Sequence, residues 1–141
     1  MAAYGGFALA AVQEYFNGKT VKAMLVTSAY VQNVDTHAVY DDVSASEISG
    51  GSYPAGGVAV QNLTTSYDPA TNLAHVTCDD IAFTGLDSAD VAGVIFYVDT
   101  GSGATAKLLG YDQYVTPVDA TSASLVHQVS ADGIFTLLVQ E

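Results

Sequence analysis

Arginine and tryptophan are absent from this chain of 141 residues, lysine occurs three times and cysteine once. Each shortage excludes something. Three lysines against fifteen acidic residues leave a formal charge of −12, and a field of that sign repels phosphate backbones and anionic lipid, so neither nucleic acid nor membrane is an expected partner. With Cys78 alone there is no intrachain disulfide, and the fold does not depend on an oxidising compartment. In Ala74-His75-Val76-Thr77-Cys78 alternation puts Ala74, Val76 and Cys78 on one strand face, which reads Cys78 as a packing thiol. The apolar start has no basic residue before Lys19, and no apolar run approaches membrane-spanning length, so neither a signal peptide nor an anchor is expected.

What is present points to a folded β protein. Half of the residues are hydrophobic and 13% are charged, too apolar a balance for disorder. The length suits one domain that buries about two thirds of its unfolded surface. The expected architecture is mainly β: a single β-sandwich or jelly-roll-like domain over 1–141, of about eight strands, with one short N-terminal helix near 8–17. The helix follows from Leu9, Val12, Tyr15 and Phe16 at helical spacing, with Asn17-Gly18 as its stop. Val21 to Ser28 is too apolar to be half exposed and reads as a central strand.

From Tyr30 to Pro54 the periodicity fades among Asn, Asp, Ser and Gly, which predicts a long connection with a helical turn near Thr36 to Tyr40. Such a connection serves either as a binding surface or as a crossover between two sheets. Further strands are expected at Gly57–Thr65, Leu73–Cys78, Val91–Val98, Ala106–Tyr111, Leu125–Val129 and Ile134–Val139. The last two should form a closing hairpin around Ser130-Ala131-Asp132-Gly133. His75 and His127 are expected on solvent-facing positions, without a functional role.

The search for chemistry returns little. No serine sits in a Gly-x-Ser-x-Gly elbow. Gly101-Ser102-Gly103-Ala104-Thr105-Ala106-Lys107 superficially matches a phosphate loop, but an extended segment follows it, and a hairpin turn is the better reading. Asp35-Thr36-His37 with Asp41 and Asp42 could hold a divalent ion, yet the spacing fits no calcium loop and caps and turns use the same residues, so no metal is assigned. Asp79, Asp80, Asp87 and Asp90 come nearest to a paired-carboxylate cluster, but they flank strands as turn residues do. No enzyme, catalytic residue or cofactor is expected. Among the nine tyrosines, Tyr30, Tyr40, Tyr53 and Tyr67 lie in or beside loops and, with Asp35 and His37, are the candidate partner contacts, because tyrosine joins a large apolar area to a polar tip.

The run Val21 to Tyr30, then Asn33-Val34-Asp35-Thr36-His37, Asp41-Asp42-Val43 and Gly56-Gly57-Val58, resembles a family of small structural proteins encoded among the virion genes of tailed bacteriophages. In that family a helix ending in Asn-Gly precedes a VKAMLVTS strand, an Asp-x-His loop, a Gly-Gly turn and a YDxATN hairpin. Asn17-Gly18 and Tyr67-Asp68-Pro69-Ala70-Thr71-Asn72 stand here in the same order. The likeness runs to about Tyr111, and the family's acidic spacer after the helix is shortened to Lys19-Thr20. The resemblance implies a virion component with no catalytic residues to carry over. Two roles suit it. One is a capsid decoration or cement protein on the outer capsid surface, partnered by the major capsid protein; the other is a tail or fibre component or receptor-binding module. The short chain, without coiled-coil or shaft repeat, favours decoration. A homo-oligomer, trimeric by preference, is expected, assembled in the host cytoplasm and located in the virion.

Overall fold

A computed structural model describes residues 4–138 of the chain. Helix α1 (Gly5–Phe16) comes first, three residues longer at its start than the spacing predicts. Its buried stripe is Ala8, Val12 and Phe16, at i, i+4 and i+8. Tyr15, expected on that stripe, is 39% exposed. The helix ends where Asn17-Gly18 predicts, with Gly18 at φ +70.

Among the described residues seven strands follow in two antiparallel sheets, a β-sandwich with one helix. They are β1 (Thr20–Val26), β2 (Val58–Ala59), β3 (Thr64–Asp68), β4 (Leu73–Thr77), β5 (Ile81–Asp99), β6 (Leu108–His127) and β7 (Phe135–Leu138). One sheet runs β2-β1-β5-β6 and the other β3-β4-β7. The expected strand at 57–65 is thus two short pieces in different sheets. The expected strands at 91–98, 106–111 and 125–129 lie within the β5–β6 ribbon, where Ile81 pairs with His127 and Tyr97 with Leu108. Its polar stretches lack the alternation that betrays a strand, and continue as strand because each chain satisfies the other's backbone groups. Register shifts interrupt the pairing between Phe83 and Val91, around Gly85 at φ +63.

The closing hairpin is not found. Leu125 pairs with Phe83 of β5, while β7 pairs with β4, Phe135 opposite Val76. Ser130–Gly133 instead carries the chain from one sheet to the other: the Gly133 amide donates to the Ser130 carbonyl at 2.9 Å, with Gly133 at φ +87. Val139, the expected end of that strand, lies outside the described residues.

β1 is central, with β2 on one side and β5 on the other. Its side chains alternate between two apolar environments. Ala23 and Leu25 join Phe83, Leu86, Val94 and Phe96, with Ile48 from the long connection, while Val21 packs with Val12, Phe16 and, from the second sheet, Val76 under the helix. Met24 and Val26 point the other way, against Val43, Ile95 and Ala106. The apolar run 91–98 is buried throughout for the same reason.

What covers that outer face is the long connection between β1 and β2. It returns to the sheet it left, so the crossover reading is corrected: its Tyr40 and Val43 cover this face, while its Ile48 and Tyr53 pack with Ala23 and Leu25 on the other. Its helical turns are 3-10, at Tyr40–Asp42 and Ser44–Ser46, a few residues later than expected.

Candidate functional site

The connection is anchored at its base by one carboxylate. Glu47 Oε2 accepts from the Tyr40 hydroxyl at 2.6 Å, and its Oε1 accepts from the Tyr53 hydroxyl at 2.8 Å and the Gly56 amide at 2.7 Å. Tyr53 also accepts from the Leu25 amide of β1 at 3.0 Å, and Tyr97 of β5 donates to the Gly56 carbonyl at 2.6 Å. Burial, with the adjoining Glu47 carboxylate, pushes the Tyr40 and Tyr53 hydroxyls well above the usual phenol range. Both therefore stay protonated and serve as donors. Two of the candidate contact residues are thus internal struts.

Two others meet further out. The Tyr30 ring lies 5.6 Å from His37 and 4.8 Å, edge-on, from Tyr111 of β6. The His37 ring accepts from the Asn33 amide at 3.3 Å, while Asn33 Oδ1 accepts from the amides of Asp35 and Thr36. The tip is therefore a self-capped turn. Beyond it Val31 and Val34 are 78% and 80% exposed, and the exposed Asp35 sits between them and His37. A small cavity of about 170 Å³ lies beneath, between Tyr30, Val34, His37 and Tyr111. Tyr67 is elsewhere. Its ring packs against the start of α1, where a Cβ on Gly5 would strike it, and its hydroxyl donates to Asn72 Oδ1.

The grouping Asp35, His37, Asp41 and Asp42 does not converge. Asp42 Oδ2 accepts from the amides of Ala38 and Val39 at 2.9 and 3.0 Å, and those bonds hold its carboxyl below the usual range. Among the described residues no group of three metal-ligating side chains is assembled. Three of the four later aspartates are more than turn residues. Asp90 accepts from the amide and hydroxyl of Ser28, Asp80 from the Val129 amide and Asp79 from Asn62. Cys78 is half-buried against the core, and burial beside Asp79 and Asp80 pushes its thiol up to about 11, which keeps it protonated.

His127 reverses its expectation. It is 6% exposed, on the face it shares with Leu125 and Val129, a parity that the sequence already displays. Its Nδ1 lies 3.1 Å from the Tyr114 hydroxyl and its Nε2 3.4 Å from Asp112 Oδ2. Desolvation holds the imidazole below its ordinary pKa, opposed by Asp112 and Asp80. The neutral tautomer with Nε2 protonated suits both contacts: Tyr114, raised to about 12 by burial, donates to Nδ1, and Nε2–H faces Asp112. Neither ring nitrogen is left to activate a serine. A cleft of about 370 Å³ adjoins it, bordered by Asp112, Ser130 and Ile134.

A pH dependence follows. A histidine depressed in the folded state contributes stability above its unfolded pKa, near 6.5, and that contribution is lost as pH falls below it. Urea titrations between pH 7.5 and 5.5 are expected to show a steeper loss for the native chain than for His127→Asn, in which this proton uptake is gone. Equal slopes would show that His127 does not govern this window.

The fold and these sites define a small, acidic β-sandwich with a long external loop between β1 and β2. No protein-family model matches the chain, and comparisons with curated proteins and with solved structures return no match.

Proposed function

We propose that the chain is a non-enzymatic bacteriophage virion protein, a capsid decoration or cement protein that clasps the outer head surface and stabilises it. The observation that carries this reading is the loop around Val31 and Val34: an exposed apolar tip on a base fixed by Glu47. A rigid base with an apolar tip is how a binding loop limits the entropy lost on docking. Its partner is the major capsid protein, and the place of action the assembled particle. Tyr30, Asp35 and His37 border the tip and are retained as contacts, whereas Tyr40 and Tyr53 brace the loop behind it and Tyr67 packs against α1, away from it.

The test is cryo-electron microscopy of the particle together with sedimentation of the purified chain with mature capsids. Saturable capsid binding is expected, weakened about tenfold or more in Val31→Asp/Val34→Asp. Because both valines are exposed, that variant should keep its stability to within about 0.5 kcal/mol. Density on the tail or fibres would favour the tail-component reading instead. Absence from the particle would overturn the virion role.

A further inference from the structure

We propose that the outer edge of β7, with the apolar groove beside it, docks a second copy of this chain, strand to strand about a two-fold axis. Exposed sheet edges invite pairing unless something blocks them. Three of the four edges here are blocked. β2 is two residues long, and β3 is polar and ends in a charge, Asp68. β6 carries Asp112, Pro117 and Asp119, and its pairing skips from Gln113 to Val118 while β5 moves only from Gly93 to Val91, which throws Val115 outward. β7 has none of these devices. Its residues Phe135-Thr136-Leu137-Leu138 include no charge, no proline and no register shift, and Leu137 and Leu138 are 43% and 54% exposed.

Beside this edge lies a groove of about 360 Å³, walled by Ala11, Tyr15, Leu108, Phe135 and Leu137. Phe7, 71% exposed, extends the Ala11–Tyr15 stripe of α1 at i, i+4 and i+8. A strand pair of this length alone falls short of the roughly 800 Å² per partner that a stable interface needs, and the groove and helix stripe supply the additional apolar area.

Charge opposes a second copy least on this face. A chain of net charge −12 repels itself over most of its surface. Two of its three lysines border this region: Lys107 lines the groove, and Lys19 sits 4.5 Å over the Tyr15 ring. None of the described residues lining the groove is acidic. Edge pairing also needs an open edge from each partner. Because β7 is the apolar, unguarded edge among the described residues, it meets another β7, and the isologous contact closes at two subunits rather than three.

Sedimentation equilibrium of the full chain from micromolar to millimolar concentration tests this, independently of any capsid. A dimer is expected, with dissociation at least tenfold easier in Leu138→Asp and in Phe7→Asp, and unchanged in Val115→Asp on the β6 bulge. Circular dichroism checks that each variant is folded. If one is not, the native concentration series and the other variant decide. A native chain monomeric throughout, a trimer, a dimer indifferent to both substitutions, or one dissolved by Val115→Asp alone would overturn the proposal.

Discussion

Glu47→Ala is expected to lower the unfolding free energy by about 3 kcal/mol, read as a fall in the urea midpoint at unchanged slope. The carboxylate accepts from two tyrosine hydroxyls and one amide. Removing it leaves three donors facing a space the half-buried loop only partly opens to water, and donors without partners cost about 1–3 kcal/mol each. Tyr40→Phe, which removes one donor, should cost about 1 kcal/mol, and Tyr53→Phe, which also leaves the buried Leu25 amide without its acceptor, about 2 kcal/mol. The three losses should not add, because they belong to one network. A Glu47→Ala effect below about 0.5 kcal/mol would mean that water replaces the carboxylate. The capsid affinity proposed for the Val31–Val34 tip should fall with the same substitution, since the tip stands on this base.

Gly57→Ala is expected to cost about 4 kcal/mol or to prevent folding. Gly57 sits at φ +78, and a Cβ there would run onto the Ala23 carbonyl, with the Met24 Cα 2.8 Å away. Neither can yield, because Ala23 and Met24 are fully buried in a strand paired on both sides. Gly18→Ala is the control. Gly18 has a similar φ of +70 but nothing within 4 Å of its would-be Cβ, so only the left-handed backbone is penalised, by about 1–2 kcal/mol. Thermal or urea unfolding of both variants separates the clash from the backbone cost, and equal losses would refute the clash.

Elements whose signal is local were legible in the sequence. The helix stop at Asn17-Gly18, the β1 and β4 strands, and the turn after Tyr67 all depend on neighbouring residues, and each lies within a residue or two of its expected place. The site was less legible. Tyr30 and His37 do meet, through contacts seven residues apart. Glu47 went unnoticed, because one glutamate among polar residues carries no signal until Tyr40, Tyr53 and Gly56 are folded around it. His127 reads as surface because histidine is seldom fully buried, although Leu125 and Val129 share its parity and mark its face as the apolar one.

Composition and local pattern by themselves determined a net charge of −12, a chain without an intrachain disulfide, a mainly β fold and one short helix. These follow from residue chemistry and from periodicities of a few residues. Only the tertiary structure decided which strands pair, that β5 and β6 form one long ribbon, that the last strand joins β4, and that the long connection covers the outer face of the sheet. Pairing of distant strands is set by burial of both faces of β1 and β5 and by satisfaction of backbone groups far apart in the chain, and neither leaves a mark on any one stretch of sequence.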